Sequence, residues 1–329
     1  MTYALSILDQ SPVCEGQTNV EALQQTIELA QKAEQLGFAR FLVAEHHNLD
    51  GLIGTSPEVL ISHILAKTSH IRVGSAGVML QHYSAFKVAE NFHLLATLAP
   101  NRVDLGVGKT TGGLPYSTAA LQKNFKQDVD SFEERFAELY EYIHPTTSTL
   151  RATPIPPSAP EIIMLGASVG SAKKAAELDI HYGFARFINI DDAILEEVAN
   201  VLKERKHGKF ILSVLVYASD DAQQAKEIAA AQKIYKIHYE SGKVVTLQSK
   251  ELAEAFASQT DELYEIKGYP ANIIAGTQQE VKAVLDDLHE RFGVDEFILH
   301  TPIKQAANRL RSFELLSPQQ LFARKQVGI

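Results

Sequence analysis

The sequence has only one cysteine, no basic tract and no long apolar run. The lone Cys14 excludes an intrachain disulfide and fits a reducing compartment. The formal net charge is -9 without a cluster of Lys and Arg, which argues against nucleic acid or an anionic membrane as the partner. No apolar run reaches the roughly 20 residues of a transmembrane helix. The first residues also lack the basic flank of a secretory signal, so we expect a cytoplasmic protein.

What the chain does contain is a regular alternation of apolar strands and amphipathic helices. With 45% hydrophobic and 22% charged residues, its composition is that of a globular protein. The predicted strands, in chain order, are Ala4–Leu8, 41–44, Ile71–Leu80, Val103–Val107, Glu161–Leu165, Ile180–Phe184, Phe210–Val216 and Glu296–His300. Eight strands with helices between them predict the α/β class and a (β/α)8 TIM barrel, formed as a single domain by residues 1–329.

One region interrupts this alternation before the last strand. A charged helix is predicted to continue to about His238, and the following stretch, Glu240 to Gly268, is polar and mixed in charge. An insertion of that size, at about 239–270, is a natural place for a lid over the barrel mouth. The alternative is a peripheral helical excursion that packs on the outside of the barrel.

The second predicted strand ends in three consecutive titratable side chains, Glu45, His46 and His47. In parallel α/β folds, ligands bind outside the carboxyl ends of the strands. The triplet is therefore a candidate site. The alternative is a polar strand end that only leads into the next helix.

Three further strand ends have features that suit a phosphate-bearing ligand. Small residues at 74–77 in the third strand indicate the close approach of a flat ligand or of another backbone. After the fourth strand, a glycine-rich loop carries Lys109, a point-charge partner for a phosphate, although the phosphate-loop spacing is absent. Ser168 and Ser171 lie near a helix start, where hydroxyl and amide groups bind anions or a serine simply caps the helix. Together they indicate a phosphate-bearing cofactor at the mouth.

Several segments also match a known family. These are Gly37-Phe-Ala-Arg-Phe-Leu-Val-Ala-Glu-His-His47, Val73-Gly-Ser-Ala-Gly-Val-Met-Leu80, Asn101-Arg-Val-Asp-Leu-Gly106 and Leu165-Gly-Ala-Ser168. With these segments, in this order, the chain resembles the bacterial luciferase-like flavin-dependent monooxygenases. The opening Ser6-Ile-Leu-Asp-Gln-Ser-Pro12 is similar to the alkanal monooxygenase-like branch. The resemblance covers nearly the whole chain.

The resemblance assigns roles by position. It implies that His46 and Glu45 are catalytic and that Glu45 also contacts the flavin. The other cofactor-binding positions that it implies are Ala76, Gly77, Gly108, Lys109, Ser168 and Ser171. In the family the pair at Ala76-Gly77 is often joined by a non-prolyl cis bond beneath the flavin ring.

Two positions depart from the family's pattern. Lys109 replaces a phosphate-binding arginine and offers no bidentate contact, which weakens the expected hold on the flavin. Gly108 stands where the luciferase has a reactive cysteine, so a light-emitting aldehyde reaction is not expected.

The resemblance implies an oxidoreductase that uses reduced FMN as a cosubstrate and O2 to oxygenate a small organic substrate, an aldehyde being one option. A separate flavin reductase would supply the reduced FMN, because no dinucleotide fingerprint follows a strand. We also expect a homodimer and no metal site. Two alternatives are a deazaflavin-dependent hydride-transfer dehydrogenase and a non-catalytic flavin-binding protein. Tyr83 either lines a substrate pocket or fills core.

Overall fold

The computed structural model describes residues 3–123, 131–145 and 149–322. Its strands are β1 (Ala4–Asp9), β2 (Arg40–Val43), β3 (Arg72–Ser75), β4 (Val78–Met79), β5 (Val103–Gly108), β6 (Glu161–Gly166), β7 (His181–Ala185), β8 (Phe210–Ala218), β9 (Lys233–Tyr239), β10 (Val244–Leu247), β11 (Tyr264–Pro270), β12 (Ile274–Gly276) and β13 (Glu296–His300). Its α-helices are α1 (Asn19–Gln35), α2 (Pro57–Lys67), α3 (Ala85–Leu98), α4 (Pro115–Leu121), α5 (Phe132–Ile143), α6 (Val169–Glu177), α7 (Asp192–Leu202), α8 (Ala222–Ala231), α9 (Lys250–Ala257), α10 (Gln278–Phe292), α11 (Ala306–Leu315) and α12 (Pro318–Leu321).

The parallel strands close into a barrel. Around the barrel the order is β1, β2, β3, β5, β6, β7, β8 and β13, and β13 pairs with β1 to complete the ring. Helices α1, α2, α3, α5, α6, α7 and α10 occupy the connections between successive barrel strands. The predicted (β/α)8 barrel is thereby confirmed.

The third barrel strand is interrupted, so the prediction of one continuous strand from Ile71 to Leu80 is wrong. β3 ends at Ser75, the Ala76-Gly77 peptide bond is cis, and the chain resumes as β4 beside β5. The backbone of β5 explains the small residues here. A Cβ on Gly74 would lie 2.3 Å from the Asp104 carbonyl oxygen, and a Cβ on Gly77 would lie 2.9 Å from that of Gly106. The small residues at 74–77 were expected to allow the close approach of a flat ligand or of another backbone, and the structure shows the backbone of β5.

Charged side chains fill the amino-terminal end of the barrel. The buried Arg40 contacts Asp104 at 2.8 Å, Glu161 at 3.0 Å and Glu296 at 2.9 Å. Arg72 pairs with both Asp104 and Glu161. Three further contacts complete this ionic layer: Ser6 and Lys209 bond to Glu296, and His181 bonds to Glu161. The layer takes a side chain from, or directly before, every barrel strand.

Every second side chain of a barrel strand points into the barrel, and these side chains form the next layers of the interior. Two residues beyond the ionic layer lies an apolar layer whose members are Leu8, Leu42, Ile163, Ile211 and Ile298. Two residues further along β2, β5, β7 and β13 come Ala44, Gly108, Ala185 and His300. Three of these four residues are small. This layer forms the floor of the barrel mouth at the carboxyl ends of the strands.

The insertion before the last barrel strand is folded rather than loop-like. The prediction of a helix to about His238 is wrong, because α8 ends at Ala231 and β9 follows. In β9 the apolar residues Tyr235, Ile237 and Tyr239 alternate with Lys236 and His238, which is the period of a strand. β9 pairs with β10 and β11 in an antiparallel sheet.

This inserted sheet is attached to the mouth. With α9 it forms a small apolar cluster that includes Ile237, Tyr239 and Phe256, and Leu114 and Leu49 from the loops after β5 and β2 pack into it. Gln248 also donates a hydrogen bond of 2.9 Å to Gln10, which follows β1. The insertion therefore lies beside the mouth, while its opening as a lid stays a prediction.

No helix within the three described ranges is both long enough and apolar enough to cross a membrane.

The ionic layer predicts a large stability cost for Arg40→Met. The change removes the one buried cation that contacts all three carboxylates, so the free energy of unfolding should fall by about 3–5 kcal/mol. Urea denaturation measures this. The control is Lys250→Met, which removes an exposed pair with Glu254 and should cost less than about 1 kcal/mol. Equal losses in the two variants would contradict the assignment.

The same layer sets the pH dependence. Burial acts in the opposite direction, but the hydrogen bond with His181 and the charge of Arg40 hold the pKa of Glu161 below the ordinary value of 4.5. The charges of Arg40 and Lys209 likewise hold the pKa of Glu296 below that value. Stability from these groups is therefore complete above about pH 4.5 and is lost as the pH falls below it. Repeating the denaturation at lower pH tests this, and Arg40→Met should lose less on acidification than the wild type.

Candidate active site

The end of β2 places Glu45 and His46 on opposite sides of the strand. Leu42 and Ala44 belong to the apolar cluster inside the barrel, so alternation directs His46 toward the mouth and Glu45 outward. Glu45 is fully buried, whereas His46 and His47 are partly buried. The structure therefore brings all three residues of the predicted triplet to the mouth region but gives them different surroundings.

Both carboxylate oxygens of Glu45 have partners. Oε1 lies 2.7 Å from His47 Nε2 and accepts a hydrogen bond of 2.7 Å from the Tyr83 hydroxyl. Oε2 accepts a hydrogen bond of 3.0 Å from the Met79 backbone N–H. Burial, followed by the nearby Glu45 charge, raises the pKa of Tyr83, which keeps its hydroxyl a donor. Glu45 thus holds the segment after the Ala76-Gly77 bond against the end of β2, and its flavin contact stays a prediction.

The glycine-rich loop after β5 packs on the same strand end. His47 donates its backbone N–H to the Gly112 carbonyl at 2.9 Å. A Cβ on Gly113 would lie 2.5 Å from the His47 carbonyl oxygen, so only glycine fits there. His82 anchors the loop from the other side, with Nε2 2.8 Å from the Thr111 carbonyl. These glycines therefore allow close packing of the loop on Glu45-His47.

His46 has a nitrogen without a partner. Its Nδ1 is buried and makes no hydrogen bond with any described residue. Burial, with the nearby His300 and His47, lowers the pKa of His46 to about 4. The ring is therefore neutral at pH 7. A buried polar atom without a partner is costly, so this nitrogen is positioned to bond to a ligand in the mouth.

The two predicted serines meet at the amino terminus of α6. Ser168 caps the helix, and its Oγ lies 3.0 Å from Ser171 Oγ. Tyr182 extends from β7 and places its hydroxyl 2.8 Å from Ser171 Oγ and 3.0 Å from the Ser168 carbonyl oxygen. Ser168 is exposed, so an anion can reach the free N–H groups of this helix start. These groups suit the phosphate of a flavin nucleotide.

Lys109 differs from the serines in its contacts. Its side chain is exposed and pairs with Glu133 at 3.0 Å, with Nζ 5.8 Å from the ring centre of Phe132. To bind a phosphate it must leave or share Glu133. Gly108, directly before it, faces the mouth, and a Cβ there would contact only Met79 Sδ at 3.6 Å.

Other residues near the mouth have internal roles. Arg309 pairs with Asp9 at 2.6 Å, and burial raises the pKa of the Cys14 thiol, which disfavours a nucleophilic role. The described residues hold no group of three or more His, Cys, Asp or Glu side chains arranged for a metal ion.

Sequence reasoning missed the contacts of three residues near the mouth. Tyr83 had two alternative roles and is bonded to Glu45, while Tyr182 and His300 had no assigned role. Nothing local marks Tyr83 or Tyr182, because their partners are distant in the chain. The sequence could have indicated His300, because it ends a predicted strand and lies on the same face as Glu296 and Ile298.

Comparison with known proteins gives a consistent assignment. The family model described as luciferase-like monooxygenase matches residues 1–296. The chain is 42% identical to N-acetyl-S-alkylcysteine monooxygenase from Bacillus subtilis (strain 168), over 98% of this chain and 99% of that protein. The crystal structure of apo-MsnO8 is 33% identical, with a TM-score of 0.77 over 96% of this chain and 98% of that one.

More distant structures share the fold only. The oxygenating constituent of 3,6-diketocamphane monooxygenase from Pseudomonas putida, in complex with FMN, has a TM-score of 0.70 at 16% identity and covers 98% of this chain and 99% of its own. An F420-dependent secondary alcohol dehydrogenase has a TM-score of 0.67 at 14% identity, over 97% and 99% of the two chains. The fold thus accommodates both kinds of cofactor.

The contacts of Glu45 predict that Tyr83→Phe destabilises the protein. The change removes one donor from a buried carboxylate, and a hydrogen bond to a charged group contributes about 1.5–3 kcal/mol. Urea denaturation should show a loss in that range. Tyr116→Phe is the control, because Tyr116 is 67% exposed and should leave stability unchanged. A Tyr83→Phe protein as stable as the wild type would remove Tyr83 from this network.

Proposed function

The chain belongs to the luciferase-like monooxygenase family, and from this premise we propose that it is an FMN-dependent enzyme that oxygenates a small organic substrate. Reduced FMN is the cosubstrate and O2 the oxidant, so two donors are oxidised in one turnover. The observation that carries the proposal is His46, a neutral imidazole directed to the mouth with a buried, unpartnered nitrogen.

The residues suited to hold FMN lie on three strand ends. Ser168, Ser171 and the start of α6 suit the phosphate. The Ala76-Gly77 segment and Gly108 provide small surfaces for a flat ring. Bound reduced FMN would supply the electrons for the reduction of O2.

The chain's own residues then have separate tasks. His46 is suited to hold or move a proton at Nδ1, because it is neutral near pH 7 and faces the mouth. Glu45 and Tyr83 fix His47 and the Met79 backbone, and so keep the walls of the mouth in place. The inserted sheet beside the mouth is suited to limit the access of water.

The candidate substrate class follows from a relative whose name states its substrate. Identity of 42% over nearly the full length supports an N-acetyl-S-alkylcysteine as the first candidate. An aldehyde is the second candidate, from the resemblance to the alkanal monooxygenase-like branch. Each class can take up one oxygen atom from O2.

Two other functions are kept as alternatives. A deazaflavin-dependent dehydrogenase is supported by the fold shared with the F420 enzyme, although the higher-identity relative is a monooxygenase. A non-catalytic flavin-binding protein would have no need of His46. Binding of FMN but not of F420, followed by turnover, separates the three.

We further propose a cytoplasmic homodimer that receives reduced FMN from a separate reductase. Support for the dimer comes from α2 and α3, where Val59, Leu94 and Leu98 are large apolar residues exposed by 67%, 49% and 67%. Burying such side chains between two copies is favourable.

Ser171→Ala should weaken FMN binding by about 10-fold or more, because a hydrogen bond to a charged group contributes about 1.5–3 kcal/mol. Quenching of flavin fluorescence on titration measures the affinity. Ser258→Ala is a matched control, since each serine donates to the carbonyl three residues before it. Unchanged affinity in Ser171→Ala would place the phosphate elsewhere.

His46→Ala should keep FMN affinity within a few-fold but lower substrate oxygenation by about 100-fold, the scale of lost acid–base catalysis. The assay supplies chemically reduced FMN, O2 and a panel of N-acetyl-S-alkylcysteines and aldehydes, and follows oxygenated product against released peroxide. His63→Ala, an exposed change on α2, is the control. Full activity in His46→Ala would exclude His46 from the chemistry, and rapid NADH oxidation by the chain alone would exclude a separate reductase.

A further inference from the structure

We propose that His300 is a second ligand-contacting residue of the mouth, whose Nε2 accepts a hydrogen bond from an N–H or O–H group of the bound flavin or substrate. No role for this residue follows from the resemblance to known flavoenzymes. The proposal rests on the proposed function, because it requires a flavin or its substrate in the mouth.

The position of His300 follows from contacts at the other end of its strand. Glu296 points into the barrel, where it bonds to Arg40 and Ser6, and Ile298 belongs to the interior apolar layer. Strand alternation then directs His300 inward as well. β13 ends there, so the imidazole, which is 7% exposed, lies at the mouth end of the barrel.

Small residues surround this imidazole at its own height in the barrel. The residues at the same height on the other alternate strands are Ala44, Gly108 and Ala185. Among these four alternate-strand positions, His300 is the one large side chain. A histidine among small residues, rather than another aliphatic residue, is an expensive choice unless its polar atoms are used.

The contacts of the ring orient its two nitrogens. Nδ1 lies 3.5 Å from the Leu8 carbonyl oxygen, and a carbonyl can only accept, so Nδ1 carries the proton. In a neutral imidazole, Nε2 is then the acceptor. Phe187 packs near the ring, with centroids 6.4 Å apart, and limits its rotation. Burial, with the charge of Arg309, lowers the pKa of His300 to about 4, so the ring stays neutral at pH 7.

His46 gives this acceptor a counterpart. Both rings face inward from strands separated only by β1, and His300 is close enough to lower the pKa of His46. The buried Nδ1 of His46 has no partner among the described residues. A ligand that bonds to both rings would satisfy two polar atoms that the protein leaves available.

Three substitutions separate a ligand contact from a structural role. In His300→Gln the amide oxygen lies near the former Nε2, so the acceptor is retained. In His300→Asn the amide lies near the former Nδ1, so only the contact with Leu8 is retained. His300→Phe keeps the ring volume and neither nitrogen. His207→Gln is the surface control, because that side chain is 84% exposed.

The measurements are the FMN dissociation constant by fluorescence titration, kcat and KM for oxygenation with reduced FMN, and the thermal unfolding midpoint. We expect His300→Phe and His300→Asn to weaken the binding of either the flavin or the substrate by about 10-fold or more, the effect of a buried donor left without its acceptor. His300→Gln should recover most of that affinity. A change in the FMN constant assigns the contact to the flavin, whereas a change in substrate KM or kcat assigns it to the substrate.

Several results would overturn the proposal. One is recovery of ligand affinity by His300→Asn but not by His300→Gln, because the important contact would then be the structural one with Leu8. Unchanged ligand binding and turnover in folded His300→Phe, His300→Asn and His300→Gln would overturn the proposal as well. If the wild type binds F420 instead of FMN, the FMN function fails and the same variants are compared with F420. If the wild type binds neither cofactor, both proposals fail.

Discussion

The ion pairs of Arg40 are the interaction on which the rest of the structure depends. One guanidinium joins carboxylates from three other strands, and Arg72, Lys209 and His181 extend the contacts around the barrel. Such charges tolerate burial only when they are paired with good geometry. They therefore fix how far each strand is displaced along its neighbours. That displacement determines which residues lie in each layer of the interior. It therefore also sets the height of His46 and His300 at the mouth, the opposite end of the barrel.

The barrel could be predicted from the sequence because its strands are short apolar runs separated by helical patterns. The prediction was wrong where a local pattern had two interpretations. Ile71–Leu80 consists mostly of apolar and small residues, and nothing local shows that the backbone of β5 approaches it at Gly74 and Gly77. At Lys233–Tyr239, charged residues suggested a continuing helix, although the alternation of Tyr and Ile with Lys and His is that of a strand.

The site was predictable only as far as strand ends can show it. Glu45, His46, Ser168 and Ser171 were predicted because they follow strands, and the structure places each of them after the carboxyl end of a barrel strand. The different surroundings of Glu45 and His46 depend on the face of the strand. The hydrogen bond from Tyr83 depends on a segment 38 residues away, so no local pattern indicates it. Long-range contacts of this kind distinguish a residue that can touch a ligand from a residue that only positions its neighbours.

The attachment of the inserted sheet has a consequence for protein engineering. Leu49 and Leu114 belong to the apolar cluster of that sheet, and they lie in the loops that follow the Glu45-His47 and Lys109 strand ends. The insertion and these two loops are therefore one exchangeable module. A chimera that takes the insertion from a relative with a different substrate must take both loops with it, because a foreign insertion would otherwise meet mismatched apolar partners. Directed evolution of substrate range should accordingly randomise these three segments together.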